Sequence, residues 1–192
     1  PDPRRQAVKA KEQALLAENL VAWLGPVWHE VFTQVRFRRG FVHEVVIHPA
    51  SFLRSADELF RRFPLVRQVT FFAERLDGHE VYDFYDEPKG YYSEILRLPE
   101  IAYLDALSLE SNKNAGDVAA ITLAGSPHVR GLRCLNLSDN QIGDAGAIAL
   151  AGSGHLAALA ELNLTDNPIS AAGAASLRSR FGPRVLLGGR IG

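Results

Sequence analysis

One stretch of this chain occurs twice. Leu132-Arg-Cys-Leu135-Asn-Leu137-Ser-Asp-Asn140-Gln-Ile142 returns, position for position, as Leu159-Ala-Glu-Leu162-Asn-Leu164-Thr-Asp-Asn167-Pro-Ile169. The same offset carries Gly146 onto Gly173 and Leu150 onto Leu177. One unit earlier, Leu104, Leu107, Leu109 and Asn112 precede their counterparts by one position more than this offset, whereas Ile121 and His128 precede Ile148 and His155 by the offset itself. One extra residue therefore sits in the loop leaving that strand. Self-similarity at this period means stacked units, each too small to bury its apolar face alone.

The chemistry of one unit says how it folds. Leu-x-Leu alternates with period two, so a short strand turns two leucines inward and the residue between them outward. Asn112, Asn140 and Asn167 recur where the chain leaves the strand, a buried corner whose backbone groups need a side chain that both donates and accepts. Small residues around Gly146 and Gly173 let a helix lie close on the strands. Weaker copies stand upstream, Val42-His-Glu-Val45-Val-Ile47 and Val66-Arg-Gln-Val69-Thr-Phe71, and between them Phe52, Leu59, Phe60 and Phe63 have helical spacing. Strand segments are expected from 42, 66, 104, 132 and 159, with Val185-Leu-Leu187 as a last short strand. The step from 66 to 104 is longer than one unit, which predicts an insertion at about 74–90 on the convex or edge side.

The ends read as caps. Val8, Leu15, Leu16, Leu20 and Leu24 approximate one helix face stopping at Gly25-Pro26, and Gln34 to Gly40 read as a strand and turn, giving an N-terminal cap over 1–40. The solenoid then spans 41–192, closed by a C-terminal cap over about 178–192. The expected class is α/β, a short solenoid with a parallel sheet on one side and helices on the other.

Composition narrows the function. A formal charge of −1 makes neither nucleic acid nor an anionic membrane a default partner. The single cysteine, Cys134, excludes an intramolecular disulfide and a thiolate metal cage, and favours a reducing cytoplasm. It is expected to be a partly buried structural thiol. No long apolar span or signal sequence is present, and the start at Pro1 without a methionine leads one to expect further chain upstream.

The unit L-x-x-L-x-L-x-x-N-x-I/L is similar to the leucine-rich repeat, and its length and Gly-Ala helix resemble the ribonuclease-inhibitor subtype. WLGPVW and FRRGFVHEVVIHPASFLRSADELFRRFPLVRQV, with the later repeats, resemble bacterial leucine-rich-repeat proteins of the repeat-companion-domain type, over nearly the whole chain. The companion segment itself is mostly missing. The resemblance implies a non-enzymatic scaffold with strands on the concave face of a horseshoe arc. The residues between core positions then point into that face: His43, Glu44, Val46 and His48; Arg67, Gln68, Thr70 and Phe72; Asp105, Ala106, Ser108 and Glu110; Arg133, Asn136, Ser138 and Asp139; Glu161, Asn163, Thr165 and Asp166. Asp105, Glu110, Asp139, Glu161 and Asp166 against Arg133 alone make a basic protein surface the natural complement. A second candidate is the insertion, where Tyr82, Phe84, Tyr85, Tyr91 and Tyr92 lie beside six carboxylates from Glu74 to Glu87; such aromatics either anchor a partner or tack the loop down.

Enzyme signatures are absent: there is no phosphate-binding glycine loop, no G-x-S-x-G and no H-E-x-x-H. His43 and His48 alternate to opposite strand faces and make no metal pair, and His128 and His155 read as surface caps at helix ends. No catalytic residue, metal or cofactor is expected. Arg36, Arg38 and Arg39, with Arg4, Arg5, Lys9 and Lys11, give residues 1–40 a charge of +3, too little and too poor in stacking aromatics for a nucleic-acid surface. A protein-binding adaptor is the leading expectation. An inhibitor occluding an enzyme, by analogy of fold, and a structural module serving a missing N-terminal domain stand beside it.

Overall fold

The computed structural model describes residues 6, 11, 14, 19–25, 28, 31–72, 91–112 and 115–188. The insertion with Tyr82, Phe84 and Tyr85, and the leading Val8, Leu15 and Leu16, lie outside them.

Among the described residues, seven strands form one sheet in chain order. β1 (Phe32–Arg38) and β2 (Phe41–Ile47) make an antiparallel hairpin. From β2 onward every pairing is parallel, through β3 (Gln68–Phe71), β4 (Ala106–Ser108), β5 (Cys134–Asn136), β6 (Glu161–Asn163) and β7 (Val185–Leu186). Parallel neighbours need a crossover, and the crossovers contain α1 (Pro49–Arg62), α2 (Tyr91–Ile95), α3 (Gly116–Gly125), α4 (Asp144–Gly152) and α5 (Ala171–Phe181). The strand segments expected from 42, 66, 104, 132, 159 and 185 are all strands.

Register turns the leucine pattern into a core. Val45, Val69, Leu107, Leu135, Leu162 and Val185 stand in one line across six strands, each buried. Leu109, Leu137 and Leu164 follow one step along and are also buried. At the N-terminal end aromatics fill the same layer: Phe52 meets Phe71 at 5.0 Å, and Trp28, Phe32 and Phe63 close over the first coil. At the other end Phe181 is buried beneath the guanidinium groups of Arg180 and Arg184, and Arg184 also donates to the Leu159 carbonyl at 2.8 Å.

The asparagines sit in the corner their spacing demands. Asn167 Oδ1 accepts from the amides of Asn140 (3.1 Å) and Ile142 (2.9 Å) in the preceding coil, while its Nδ2 donates to Leu137 O at 2.8 Å. Asn140 Nδ2 donates to Leu109 O at 2.7 Å in the same way. Asn112 donates to Glu110 O at 3.0 Å and accepts the hydroxyl of Tyr92. Tyr92, expected among the aromatics of the insertion, is instead a buried core residue. Its phenol sits under the asparagine corner, and burial pushes its pKa above the ordinary tyrosine value.

Beside this ladder runs one the sequence did not reveal. Asp117, in the first turn of α3, accepts the amides of Gly143 (2.8 Å) and Gly146 (2.9 Å) at the start of α4. Asp144, its counterpart in the next coil, accepts the amide and hydroxyl of Ser170 at the start of α5. Each carboxylate thus satisfies free amides at the helix start of the next coil and meets the positive end of its dipole. This corrects the role of the glycines. A Cβ at Gly146 would lie 2.7 Å from Asp117 Oδ1 and 2.8 Å from Ile142 Cγ2, and one at Gly173 would run into Asp144. The absent side chain makes room for the neighbouring coil's cap as well as for the isoleucine of its own coil, Ile142 or Ile169.

Candidate functional site

The sheet face away from the helices is open among the described residues, and strand pairing sorts its side chains into two rows. Glu44, Gln68, Ala106, Cys134 and Glu161 are neighbours in one; Val46, Thr70, Ser108, Asn136 and Asn163 in the other. Strands lie about 4.8 Å apart, so each row sets five side chains across roughly 20 Å. All but Val46 line a shallow groove. β1 widens it, since Arg36 pairs with Glu44 in register and their side chains meet at 3.3 Å.

Two rims bound the groove. Where the strands begin stand His43, Arg67, Asp105, Arg133 and Ala160. Arg67 O receives the amides of Asp105 and Ala106, Asp105 O those of Arg133 and Cys134, and Arg133 O those of Ala160 and Glu161. The Arg67 side chain folds back to donate to Pro64 O (2.9 Å) and Val66 O (2.7 Å), so it closes a turn and does not reach the groove. Asp105 and Arg133 are exposed. Where the strands end stand His48, Phe72, Glu110, Ser138 and Thr165, with Ser111, Asp139 and Asp166 one residue further.

Several expected contact residues have structural duties instead. His48 is the N-cap of α1, its Nδ1 accepting the Ala50 amide at 3.3 Å, and its ring lies edge-on to Phe72. Ser138 is buried, correcting its place among partner contacts, and its hydroxyl donates to Asn136 Oδ1 at 2.8 Å. Thr165 repeats that bond to Asn163 at 2.9 Å. Asp139 and Asp166 adopt φ of 53° and 57°, a left-handed turn that aspartate tolerates, and donate their amides to Thr165 O and Gly188 O. His43 falls at an irregularity of the β1–β2 register, out of line with the rows.

The expected acidic face therefore resolves into parts. Its rows carry only Glu44, paired with Arg36, and Glu161. The other acids stand on the rims, Asp105 where the strands begin, between Arg67 and Arg133, and Glu110, Asp139 and Asp166 where they end, with no lysine or arginine beside them there among the described residues. Glu110 also accepts from Asn136 Nδ2 at 3.0 Å.

Cys134 departs from the partly buried structural thiol expected of it. It is exposed, and it occupies the middle of the first row between Ala106 and Glu161. The signal was in the sequence: counting back one repeat from Glu161 arrives at Cys134.

A Leucine Rich repeat family model matches residues 131–151 and 157–177. These two segments are leucine-rich repeats. The two matched units contain β5, most of α4, β6 and most of α5, and the parallel register extends the same core lines to β2. No curated protein matches the chain. Leucine-rich repeats are in general a protein-binding architecture, in which stacked coils offer an extended surface in place of a closed pocket.

Proposed function

We propose that this protein is a non-enzymatic scaffold that holds a protein partner on the open face of its leucine-rich repeats, the inner wall of a short horseshoe arc. The observation that carries the proposal is the register itself, which sets Glu44, Gln68, Ala106, Cys134 and Glu161 side by side across five strands. Such a surface is polar, open and rigidly spaced. It suits recognition of a folded surface or extended segment, with a few anchors carrying most of the affinity.

A basic partner is favoured by Glu161 and by the rim of Glu110, Asp139 and Asp166. Charges of this kind act mainly on association rate and selectivity. The free exposed thiol of Cys134 suits a reducing compartment, and we place the protein in the cytoplasm on that ground.

The test begins with affinity capture from the native cell and mass spectrometry of the retained protein. Binding of that purified protein is then titrated against the chain and against Glu161→Lys combined with Asp166→Lys. Weaker binding with a slower on-rate is expected. Unchanged binding would remove the open face from the proposal.

A further inference from the structure

The helices differ from one another in a way the core does not explain. α1 leaves Arg54, Asp57, Glu58, Arg61 and Arg62 exposed, the usual state of a helix with one face in water. α3 and α4 do not. Their only charged side chains, Asp117 and Asp144, are bonded to the next coil. Outward they present Val118, Ile121 and Ile148, which are 54%, 48% and 55% exposed. A helix apolar around its whole circumference is ordinarily covered, and a contiguous exposed apolar patch marks an interaction surface.

We propose that this helix face binds a second copy of the chain in a two-fold symmetric dimer. The repeat offset sets its outer side chains in two rows, Val118–Ala145–Ala172 and Ile121–Ile148–Ala175. Both rows taper from branched residues on α3 to alanine on α5. A two-fold axis through α4 lays the bulky end of each copy over the small end of the other and brings the two Ile148 side chains together. The surface is thus complementary to itself, as a closed isologous contact requires. The outer faces of α3 and α4 lack free charge, and the exposed Arg178 of α5 stands one turn past Ala175, opposite the uncharged end of α3, so no like charges are set against each other.

Area fixes the strength. Three helices of about 15 Å, side by side at about 10 Å, give a face of roughly 450 Å² per copy, so on the order of 900 Å² is covered, less than a stable interface buries and in the range of weak, transient ones. The dimer is therefore reversible, and it leaves the open sheet face free.

Sedimentation equilibrium of the full chain over a wide concentration range tests this. A monomer–dimer equilibrium is expected. Ile148→Arg should weaken it by about a hundredfold, because it opposes two arginines at the axis. Phe41→Ser, which removes an exposed aromatic from the β1–β2 hairpin, should leave it unchanged. In a Cys134→Ser background, Ile148→Cys should form an intermolecular disulfide on mild oxidation, a readout that holds even if the arginine variant folds poorly. A chain monomeric at every concentration overturns the proposal, and so does a dimer indifferent to Ile148→Arg. Absence of the Ile148→Cys disulfide at concentrations where the chain is dimeric overturns it as well.

Discussion

Asp144 reaches out of its own coil to the helix of the next, where it receives the Ser170 amide at 2.9 Å and the Ser170 hydroxyl at 2.6 Å. Asp117 does the same one coil earlier, for Gly143 and Gly146. At the equivalent position of α5 the residue is Ala171, and no further α-helix follows among the described residues. The carboxylates therefore belong to the stacking of coils, not to any single coil.

The Ser170 hydroxyl first, and then its amide, hold the Asp144 carboxyl below the ordinary carboxylate range. A folded-state pKa lower than the unfolded one gives stability that is present above the unfolded value and lost as pH falls through the folded one. Asp144→Ala should therefore lower the thermal midpoint by a constant amount from neutral pH down to about 4, the ordinary carboxylate value, with the deficit shrinking below it. Thermal unfolding of both proteins across that range checks this; a deficit that persists undiminished in strong acid would show that the charge has no part in it.

Tyr92 carries the opposite sign. Its phenol is neutral and buried and donates to Asn112, and its pKa is raised by burial. Its contribution is complete below about pH 10, the ordinary tyrosine value, and is lost as pH rises beyond that. Tyr92→Phe leaves the Asn112 oxygen without this donor and should cost about 1–3 kcal/mol at neutral pH. In alkali the variant should lose less stability than the parent, which denaturant titrations at two pH values can measure.

How much of this was legible depended on whether local spacing or a partner one coil away set the structure. The strands and asparagine corners could be read because Leu-x-Leu and the asparagine recur at a fixed place in each unit, even though Asn167 bonds across to the preceding coil. Asp144 could not, since aspartate is ordinary in a first turn and its partner, Ser170, belongs to the next coil. Ser138 and Tyr92 were hidden for a related reason: a polar residue beside a strand looks exposed until its hydrogen-bond partner is known. Cys134 was obscured by its chemistry, because free cysteine is usually buried, although the repeat offset placed it opposite Glu161.

Asn167 separates hydrogen bonding from shape. It accepts two amides and donates to Leu137 O. Asn167→Ala strands all three and should cost at least about 2 kcal/mol. Asn167→Asp keeps the shape and the acceptor but turns a carboxylate oxygen toward the Leu137 carbonyl. It should be destabilised at neutral pH and partly recover in mild acid, where protonation restores a donor. Equal stability of the aspartate variant at both pH values would contradict the donor role.

Cys134 offers the most direct probe of the open face. An exposed thiol between Ala106 and Glu161 should react fully with a small maleimide in the native protein, without denaturant. A bulky adduct there stands in the middle of the groove, so it should block partner binding while leaving the melting transition nearly unchanged, because the side chain points away from the leucine core. Cys134→Ser should bind normally and become insensitive to the reagent. If the labelled protein still bound its partner with full affinity, contact would have to lie on the rims or the helix side, and the row from Glu44 to Glu161 would be only a soluble strand surface.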